Sequence, residues 1–426
     1  MTLFMLVSMV ILFALSVPIA IAIMLASTGG ATLFAGLSPL VVAQHLVTTL
    51  DSFPLLAIPF FILAGNLMEA SGISQRLVEF AKALIGGLQG GLAASCVLTC
   101  MIFAAVSGSS VATTFAIGAI IIPAMVKHGY PVRFAAALQA TSAELGVIIP
   151  PSIPMIIYGV SAEVSIGQLF IAGIGPGLLI GVALSAFVLL ACRKNGWGKH
   201  DGEERMALWA GVLHAAWGLG MPVIILGGIY LGVFTPTEAA AVAVMYALLV
   251  GVVIYRTLTL PVLIRALRKS VISSAVIMTI IAAAGTFSFL LTRAGVPAAI
   301  GDWLVAVFHS PISFLLAVNV VLFCIGMFIE TSSAIIVLAP ILAPVAHQFG
   351  IDPIQFGLIM IVNLAMGMIT PPFGVNLFAV CEVAGISIDM LIRRLIPFVL
   401  VILACLMVIT FVPEVSLFFR DLMPAR

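Results

Sequence analysis

The chain is dominated by apolar runs that short polar segments interrupt at intervals. The first run, LFMLVSMVILFALSVPIAIAIML, covers residues 3–25. Because a helix needs about 20 consecutive apolar residues to cross a bilayer, runs of this length predict membrane-spanning helices. We expect such spans at residues 3–25, 29–50, 53–70, 132–158, 166–192, 209–232, 237–255, 271–292, 354–383 and 387–412. The pattern therefore predicts an all-α polytopic membrane protein.

Two further apolar stretches, 91–126 and 313–347, are each interrupted midway by small polar residues. The interruptions are SGSS at residues 107–110, with Thr113 and Thr114 close behind, and ETSS at residues 330–333. Each stretch is either a pair of short spans or a re-entrant hairpin, meaning a helical hairpin that enters and leaves the membrane on the same side.

The positions of the positive charges favour two re-entrant hairpins. With two hairpins, the polar loops near residues 72–90, 127–133, 193–206, 256–269 and 384–394 all lie on one face. These loops carry every Lys and Arg except Arg293, Arg420 and Arg426. Since cytoplasmic loops concentrate Lys and Arg, we expect this face to be cytoplasmic and both termini to be periplasmic.

The two halves of the chain repeat each other at a nearly constant offset. GVIIPPSIP at residues 146–154 corresponds to GMITPPFGV at residues 367–375, and Pro18 and Pro123 correspond to Pro236 and Pro344. Five spans and one hairpin per half give an odd number of crossings, so the second half should run upside down relative to the first. Inverted repeats with broken helices are typical of secondary transporters.

The predicted organisation has three parts. A first inverted repeat, 1–192, contains scaffold helices, the hairpin 91–126 and the broken helix 132–158. A cytoplasmic linker covers 193–206. A second inverted repeat, 207–426, contains scaffold helices, the hairpin 313–347 and the broken helix 354–383.

Composition excludes several classes of function. Hydrophobic residues make up 63% of the chain and charged residues only 8%, so a soluble fold could not bury the apolar surface. The six cysteines lack metal-type spacing, and the chain has no phosphate-binding loop or catalytic triad pattern. We therefore expect neither an enzyme nor a nucleic-acid-binding protein, and no organic cofactor.

The two Pro-Pro breaks are the features most suited to binding ions. Proline frees a backbone carbonyl one turn earlier, and such groups are tolerated at membrane depth only inside protein or beside a water-filled cavity. Freed carbonyls can coordinate Na⁺, and half-helix N-termini can face an anion. One isolated break would be explained by packing, but two symmetric breaks, each paired with a polar hairpin tip, favour binding.

Two acids are predicted at membrane depth, where a charge costs about 2.5 to 3.5 kcal/mol. Glu330 stands in the second tip, where its counterpart in the first tip is Ser109, and Glu144 precedes the first break. For both acids, a structural hydrogen bond and an ion or substrate role are equally supported. Asn376 is a better candidate for substrate contact than Asn363. The sequence TPTE at residues 235–238 is explained by a helix-capping box alone.

Four motifs in order, SGSSVATTFAIG, PPSIPMIIYG, GVFTPTEAAAVA and TPPFGVNLF, resemble the large membrane subunit of tripartite ATP-independent periplasmic (TRAP) transporters, the DctM-like family. The resemblance implies an elevator-type secondary transporter of the bacterial inner membrane. It implies Na⁺-driven uptake of an organic acid anion, such as a C4-dicarboxylate or sialic acid, delivered by a periplasmic substrate-binding protein. It also implies a small four-helix membrane subunit, which we expect to be a separate polypeptide.

The resemblance further implies the site residues. One Na⁺ site would lie around Ser107, Ser109, Gly146 and Ile149, and a second around Glu330, Ser332, Gly367 and Thr370. The carboxylate substrate would lie between the hairpin tips, near Ser110, Thr113, Pro151, Thr331, Pro372 and Asn376. Two alternatives stay open, namely a stand-alone divalent-anion/sodium symporter that needs no binding protein, and a channel lined by re-entrant loops.

Overall fold

The computed structural model describes residues 1–199 and 206–422, and all regular structure in these residues is helical. Residues 200–205, which belong to the predicted linker, lie outside the described residues. The first half contains α1 (Thr2–Ala14), α2 (Ile19–Leu33), α3 (Pro39–Leu50), a 3₁₀ turn (Phe53–Leu56), α4 (Ala57–Ala70), α5 (Ile73–Ile85), α6 (Gly91–Ser107), α7 (Ser110–Lys127), α8 (Val132–Ala143), α9 (Leu145–Ile148), α10 (Ile153–Ser161) and α11 (Ile166–Asn195).

The second half follows the same order with small differences. It contains α12 (Leu208–Tyr230), α13 (Pro236–Leu248) with a π-helical turn (Leu249–Ile254), α14 (Leu260–Arg293), α15 (Val296–Val307), α16 (Pro311–Gly326), α17 (Thr331–Gln348), α18 (Pro353–Met368), α19 (Val375–Ala384), α20 (Ile388–Phe411) and α21 (Pro413–Asp421). Within the described residues, 8 helices are long and apolar enough to cross a membrane, or 9 if the pair bent by 43° between α9 and α10 is one span.

Some predicted boundaries are wrong. The spans 3–25 and 29–50 are three shorter helices. The first helix ends where the chain turns at Ser16, which has a φ of 59°. Pro18 has no N–H group to continue that helix, and a new helix begins after it. The predicted loop 256–269 lies largely within α14. The predicted loop 72–90 contains α5, whose Ile73, Leu77 and Ala81 form a buried stripe at helical spacing.

The hairpins and broken helices pack as one interlocked unit, which we call the central body (α6–α10 and α16–α19). In each half, the first hairpin arm packs on the helix before the break, α6 on α8 and α16 on α18. The second arm packs on the helix after the break of the other half, α7 on α19 and α17 on α10. Each hairpin thereby contacts broken-helix segments of both halves.

A second group of helices, which we call the frame, consists of α2, α3, α4, α13 and α14. Helix α14 packs along α2, α3 and α4, and α13 packs on α4. The frame touches the central body through α4 against α6 and α10, and through α14 against α17. The contacts with α6 and α17 border the cavities described below.

Candidate functional site

The first hairpin tip is shaped by local sequence. Helix α6 ends at Gly108, which has a φ of 61°, a conformation that glycine adopts at little cost. Ser109 is then extended, and its hydroxyl caps α7 by accepting from the Ala112 N–H at 3.4 Å. The sequence SGSS therefore stops one helix and starts the next within two residues.

Three oxygen atoms cluster at this tip. The Ser109 carbonyl accepts from the Thr113 hydroxyl at 2.8 Å and from the Ser107 hydroxyl at 3.4 Å, and the two hydroxyl oxygens are 3.1 Å apart. Gly146, before the first break, lies directly against them, since a Cβ there would be 2.7 Å from the Ser109 oxygen and 2.8 Å from the Thr113 oxygen. The structure thus brings Ser107, Ser109 and Gly146 together, and adds Thr113.

The same tip touches the first break. The Ile153 N–H donates to the Gly108 carbonyl at 3.5 Å, and a Cβ on Gly108 would be 2.9 Å from the carbonyl oxygen of Pro151. Ser152 fills the break by donating to the Val147 carbonyl at 2.6 Å. Ile149 ends α9, and its side chain packs against Gly177 of α11. The first hairpin tip and the first break are therefore in contact through their backbones.

The second tip uses a carboxylate where the first uses a hydroxyl. Glu330 caps α17 by accepting from the Ser333 N–H at 3.1 Å, and it also accepts from the Ser332 hydroxyl at 2.9 Å. The Thr331 hydroxyl donates to the Met368 sulfur at 3.0 Å, which joins the tip to the second broken helix. Glu330 and Ser332, two members of the predicted second sodium set, are thus hydrogen-bonded to each other.

The other members of that set, Gly367 and Thr370, lie on the broken helix. The atoms nearest to Gly367 belong to Gly326 at the end of α16, and the Thr370 hydroxyl donates to the Met366 carbonyl at 2.9 Å. The Gly374 N–H donates to the Met327 carbonyl at 3.2 Å. The second tip therefore also touches its break, but its oxygen groups are spread more widely than those of the first.

A buried polar network joins the two halves. Asn376, just after the second break, donates to Glu144 at 2.6 Å and accepts from the Thr114 hydroxyl at 2.6 Å. All three side chains are buried. Ser110 lies beside the Glu144 carboxyl group, whose second oxygen makes no hydrogen bond to the described residues. The network connects the first hairpin, the first broken helix and the second broken helix.

Sequence reasoning had placed Thr114 only among the tip hydroxyls and could not pair it with Asn376, because the two residues are 262 positions apart. Asn363, in contrast, donates to the Asn319 side chain at 2.6 Å and ties α18 to α16. Among the predicted substrate residues, Ser110, Thr113, Pro151, Thr331 and Asn376 are buried, whereas Pro372 is exposed.

Two cavities border the central body. One of about 390 Å³ is lined by Ser107 and Ser109 of the first tip and, across from them, by residues of α4 and α14 that include the ion pair Lys269–Glu69. A larger one of about 730 Å³ is lined by α10, α14 and the α17 arm, including His347. The first tip, but not the second, lies on the wall of one of these two cavities.

The capping-box interpretation of TPTE is confirmed. The Thr235 hydroxyl accepts from the Glu238 N–H at 3.3 Å, and the Glu238 carboxylate accepts from the Thr235 N–H at 2.8 Å. This motif needs no role in binding.

Helices of membrane-spanning length around paired hairpins and broken helices define a multi-pass membrane protein of the transporter class. The fold resembles the crystal structure of the Alcanivorax borkumensis YdaH transporter, with a TM-score of 0.65, 18% identity and coverage of 89% of each chain. Residues 6–415 match the family model of the tripartite ATP-independent periplasmic transporter, DctM component. The chain belongs to this family, as the four motifs predicted.

Two curated relatives agree with this assignment. The C4-dicarboxylate TRAP transporter large permease protein DctM of Pseudomonas aeruginosa is 45% identical, and the match covers 88% of each chain. The isethionate TRAP transporter permease protein DctMQ of Oleidesulfovibrio alaskensis is 44% identical over 95% of this chain, which spans only 64% of that relative's length. The chain is therefore a permease of the TRAP type and not an enzyme.

Proposed function

We propose that this permease takes up an organic acid anion by Na⁺-coupled secondary transport, in the bacterial inner membrane. A periplasmic substrate-binding protein would deliver the anion, and a small membrane subunit would complete the transporter. Relatives named for C4-dicarboxylates and for isethionate, a sulfonate, support a small acidic solute as the cargo. The observation that carries the proposal is the contact of each hairpin tip with the break in its own half, with clustered oxygen groups at the first.

The first tip supplies the more compact sodium site. The hydroxyls of Ser107 and Thr113 and the carbonyl of Ser109 offer three neutral oxygens, and Gly146 leaves space beside them. Unwound backbone carbonyls at helix breaks coordinate Na⁺ in secondary transporters. Ile149 would contribute its carbonyl from the end of α9.

The second tip supplies the second sodium site. Glu330 and Ser332 would act with Gly367 and Thr370, and the carboxylate would add a full negative charge that the first site lacks. The same ion, Na⁺, would thus bind at a neutral site in the first tip and at a site with a carboxylate in the second.

The substrate would bind between the tips. Ser110, Thr113, Pro151, Thr331, Pro372 and Asn376 are the candidates. Asn376 is held at both ends by Glu144 and Thr114, so its side chain is fixed in orientation, and its amide nitrogen has a second hydrogen to donate to an anion. A fixed donor favours one placement of the carboxylate.

Transport would occur by an elevator-like movement of the central body against the frame. The 390 Å³ cavity beside the first tip lies on the side of the basic loops, which fits an arrangement open to the cytoplasm. A tenfold Na⁺ gradient supplies roughly 1.4 kcal/mol per ion, and 100 mV adds about 2.3 kcal/mol per net positive charge. Two ions per anion would therefore drive accumulation without ATP.

Uptake in proteoliposomes that contain this chain, its small subunit and the binding protein tests the proposal. We expect accumulation of a small acidic solute that requires an inward Na⁺ gradient. Accumulation that is unchanged without the gradient would refute Na⁺ coupling. Full uptake without the binding protein would favour the stand-alone symporter, and sustained current without saturable uptake would favour the channel.

A further inference from the structure

We propose that Lys269 forms an anion-binding exit site on the frame, where the carboxylate or sulfonate group of the cargo binds after it leaves the first hairpin tip. The inference rests on the proposed function, because it assigns a further binding step to the same cargo. Lys269 is not among the residues that the four motifs or the hairpin tips point to.

The location supports this role. Lys269 and Glu69 line the 390 Å³ cavity opposite Ser107 and Ser109. Lys269 is the one Lys or Arg among the described residues that line it. Small-molecule sites commonly have volumes of roughly 300 to 1,000 Å³, so the cavity can admit a small organic acid. An anion released from the tip into this space would meet a single cationic side chain, that of Lys269.

The ion pair with Glu69 is suited to exchange. Lys269 Nζ lies 2.9 Å from Glu69 Oε2, and the two side chains are 56% and 30% exposed. Ion pairs this exposed contribute little to stability, so the lysine can leave Glu69 for another carboxylate at small cost. Glu69 carries a carboxylate, as the expected cargo does, and it therefore competes with the cargo for Lys269. This competition keeps the binding of the cargo weak enough for release.

The lysine is held in place on the frame. One residue along α14, Ser270 accepts from Asn66 of α4 at 2.9 Å and donates to the Ala266 carbonyl at 2.8 Å. The bond between Asn66 and Ser270 fixes the register of α14 against α4, and with it the position of the Lys269 backbone. Since Ser107 and Ser109 belong to the central body, the cavity has its binding tip on one wall and its cation on the other.

The experiment measures inhibition of uptake by cargo inside the vesicles. Proteoliposomes with the complete transporter are preloaded with succinate, isethionate or N-acetylneuraminate, and the internal concentration that halves uptake of the same solute is determined. In Lys269→Gln we expect this concentration to rise about two- to fivefold, the range of an exposed charge pair. Lys269→Arg should restore it, and Glu69→Gln should lower it, because the lysine loses its competitor.

The half-inhibiting concentration should rise in Lys269→Gln and fall in Glu69→Gln, and these opposite changes distinguish an exit site from a structural contact. If the pair only joins α4 to α14, Lys269→Gln and Glu69→Gln change inhibition in the same direction and lower thermal stability alike, which overturns the proposal. Arg268→Gln, an exposed neighbour on the same helix, is the matched control and should leave inhibition unchanged. A similar change in Arg268→Gln would mean a general surface-charge effect and would also overturn it.

Failure of the proposed function gives a different result. A wild type that accumulates none of the three solutes under an Na⁺ gradient refutes the proposed transport and the exit site with it. A wild type that accumulates one of them, with a Lys269→Gln variant inhibited at the same internal concentration, refutes the exit site alone.

Discussion

The two hairpin tips are counterparts in the predicted repeat, and they differ in the chemistry of their capping residue and in compactness. In the first tip, neutral oxygens of Ser107, Ser109 and Thr113 gather against Gly146. In the second, Glu330 takes the place of Ser109 as the helix cap, and the end of α16 packs against the broken helix at Gly326 and Gly367. A shared backbone plan thus carries two different chemistries.

The two tips share some features and differ in others. Both tips need a residue that ends the first arm, an acceptor that caps the second arm, and a contact to the break. The cap can be a hydroxyl or a carboxylate, because either accepts the orphan N–H. The choice then decides whether the tip is neutral or negative, and a cation near it would sense the difference.

Gly146→Ala should have the largest effect. Its added Cβ would lie 2.7 Å from the Ser109 oxygen and 2.8 Å from the Thr113 oxygen, so the first cluster must open. Overpacking of this kind typically costs about 1–3 kcal/mol, and we expect Na⁺-dependent uptake to fall about tenfold or more. The control is Gly227→Ala in α12, where a Cβ would meet nothing within 4 Å. Equal uptake by both variants would contradict a role for the first cluster.

Glu330→Gln tests the role of the carboxylate that distinguishes the second tip from the first. The glutamine keeps an acceptor for the Ser333 N–H but removes the negative charge. If the carboxylate holds Na⁺, the Na⁺ concentration for half-maximal uptake should rise about three- to tenfold, since charge-assisted contacts are roughly twice as strong as neutral ones. Ser109→Ala in the first tip should shift it less, because the carbonyl in the cluster remains. An unchanged Na⁺ dependence in Glu330→Gln would reduce the acid to a helix cap.

Thr114→Val tests the network that joins the halves. It leaves the Asn376 carbonyl oxygen buried without its donor at 2.6 Å, which should destabilise the protein by about 1–3 kcal/mol. Thermal unfolding in detergent measures the loss. The matched control is Thr286→Val, since Thr286 is also buried but, among the described residues, its hydroxyl donates to the Ala282 carbonyl of its own helix alone. Similar losses in both variants would show that the network adds nothing specific.

Local signals explain which parts of the fold could be predicted. The polar clusters SGSS and ETSS and the two Pro-Pro pairs end helices, so the predicted hairpins 91–126 and 313–347 and both predicted broken helices contain observed helix breaks. Their re-entrant orientation stays a prediction. Helix α5 escaped the pattern because its apolar positions are spaced among charged ones, and a search for continuous apolar runs passes over such a helix.

The candidate site also contains parts that the sequence could predict and parts that it could not. The grouping of Ser107, Ser109 and Gly146 came from the resemblance to the DctM-like family, and the structure places the three residues together. Their role as sodium ligands stays a prediction. The bond between Thr114 and Asn376 depends on the crossed packing of α7 on α19, which no local pattern encodes. The cavity wall at Lys269 likewise arises only when the frame is assembled.

The smallest expected effect concerns the helices that lead into the two breaks. Helix α18 begins at Asp352, which caps it by accepting from the Ile354 N–H at 2.8 Å and also pairs with Arg420 of α21 at 2.6 Å, whereas α8 begins at Pro131 without a side-chain cap. Asp352→Asn keeps the acceptor but removes the charge, so we expect a loss of about 0.2–1 kcal/mol that shrinks at high salt.

The matched comparison for this pair is Asp421→Asn, because Asp421 also contacts Arg420 but is 60% exposed, against 29% for Asp352. Thermal unfolding at low and high salt should rank Asp352→Asn below the wild type and Asp421→Asn close to it. Asp352→Ala removes the cap as well and should cost about 1 kcal/mol more. If Asp352→Ala and Asp352→Asn are equally stable, the cap is dispensable, and the second broken helix starts as independently of its side chains as the first.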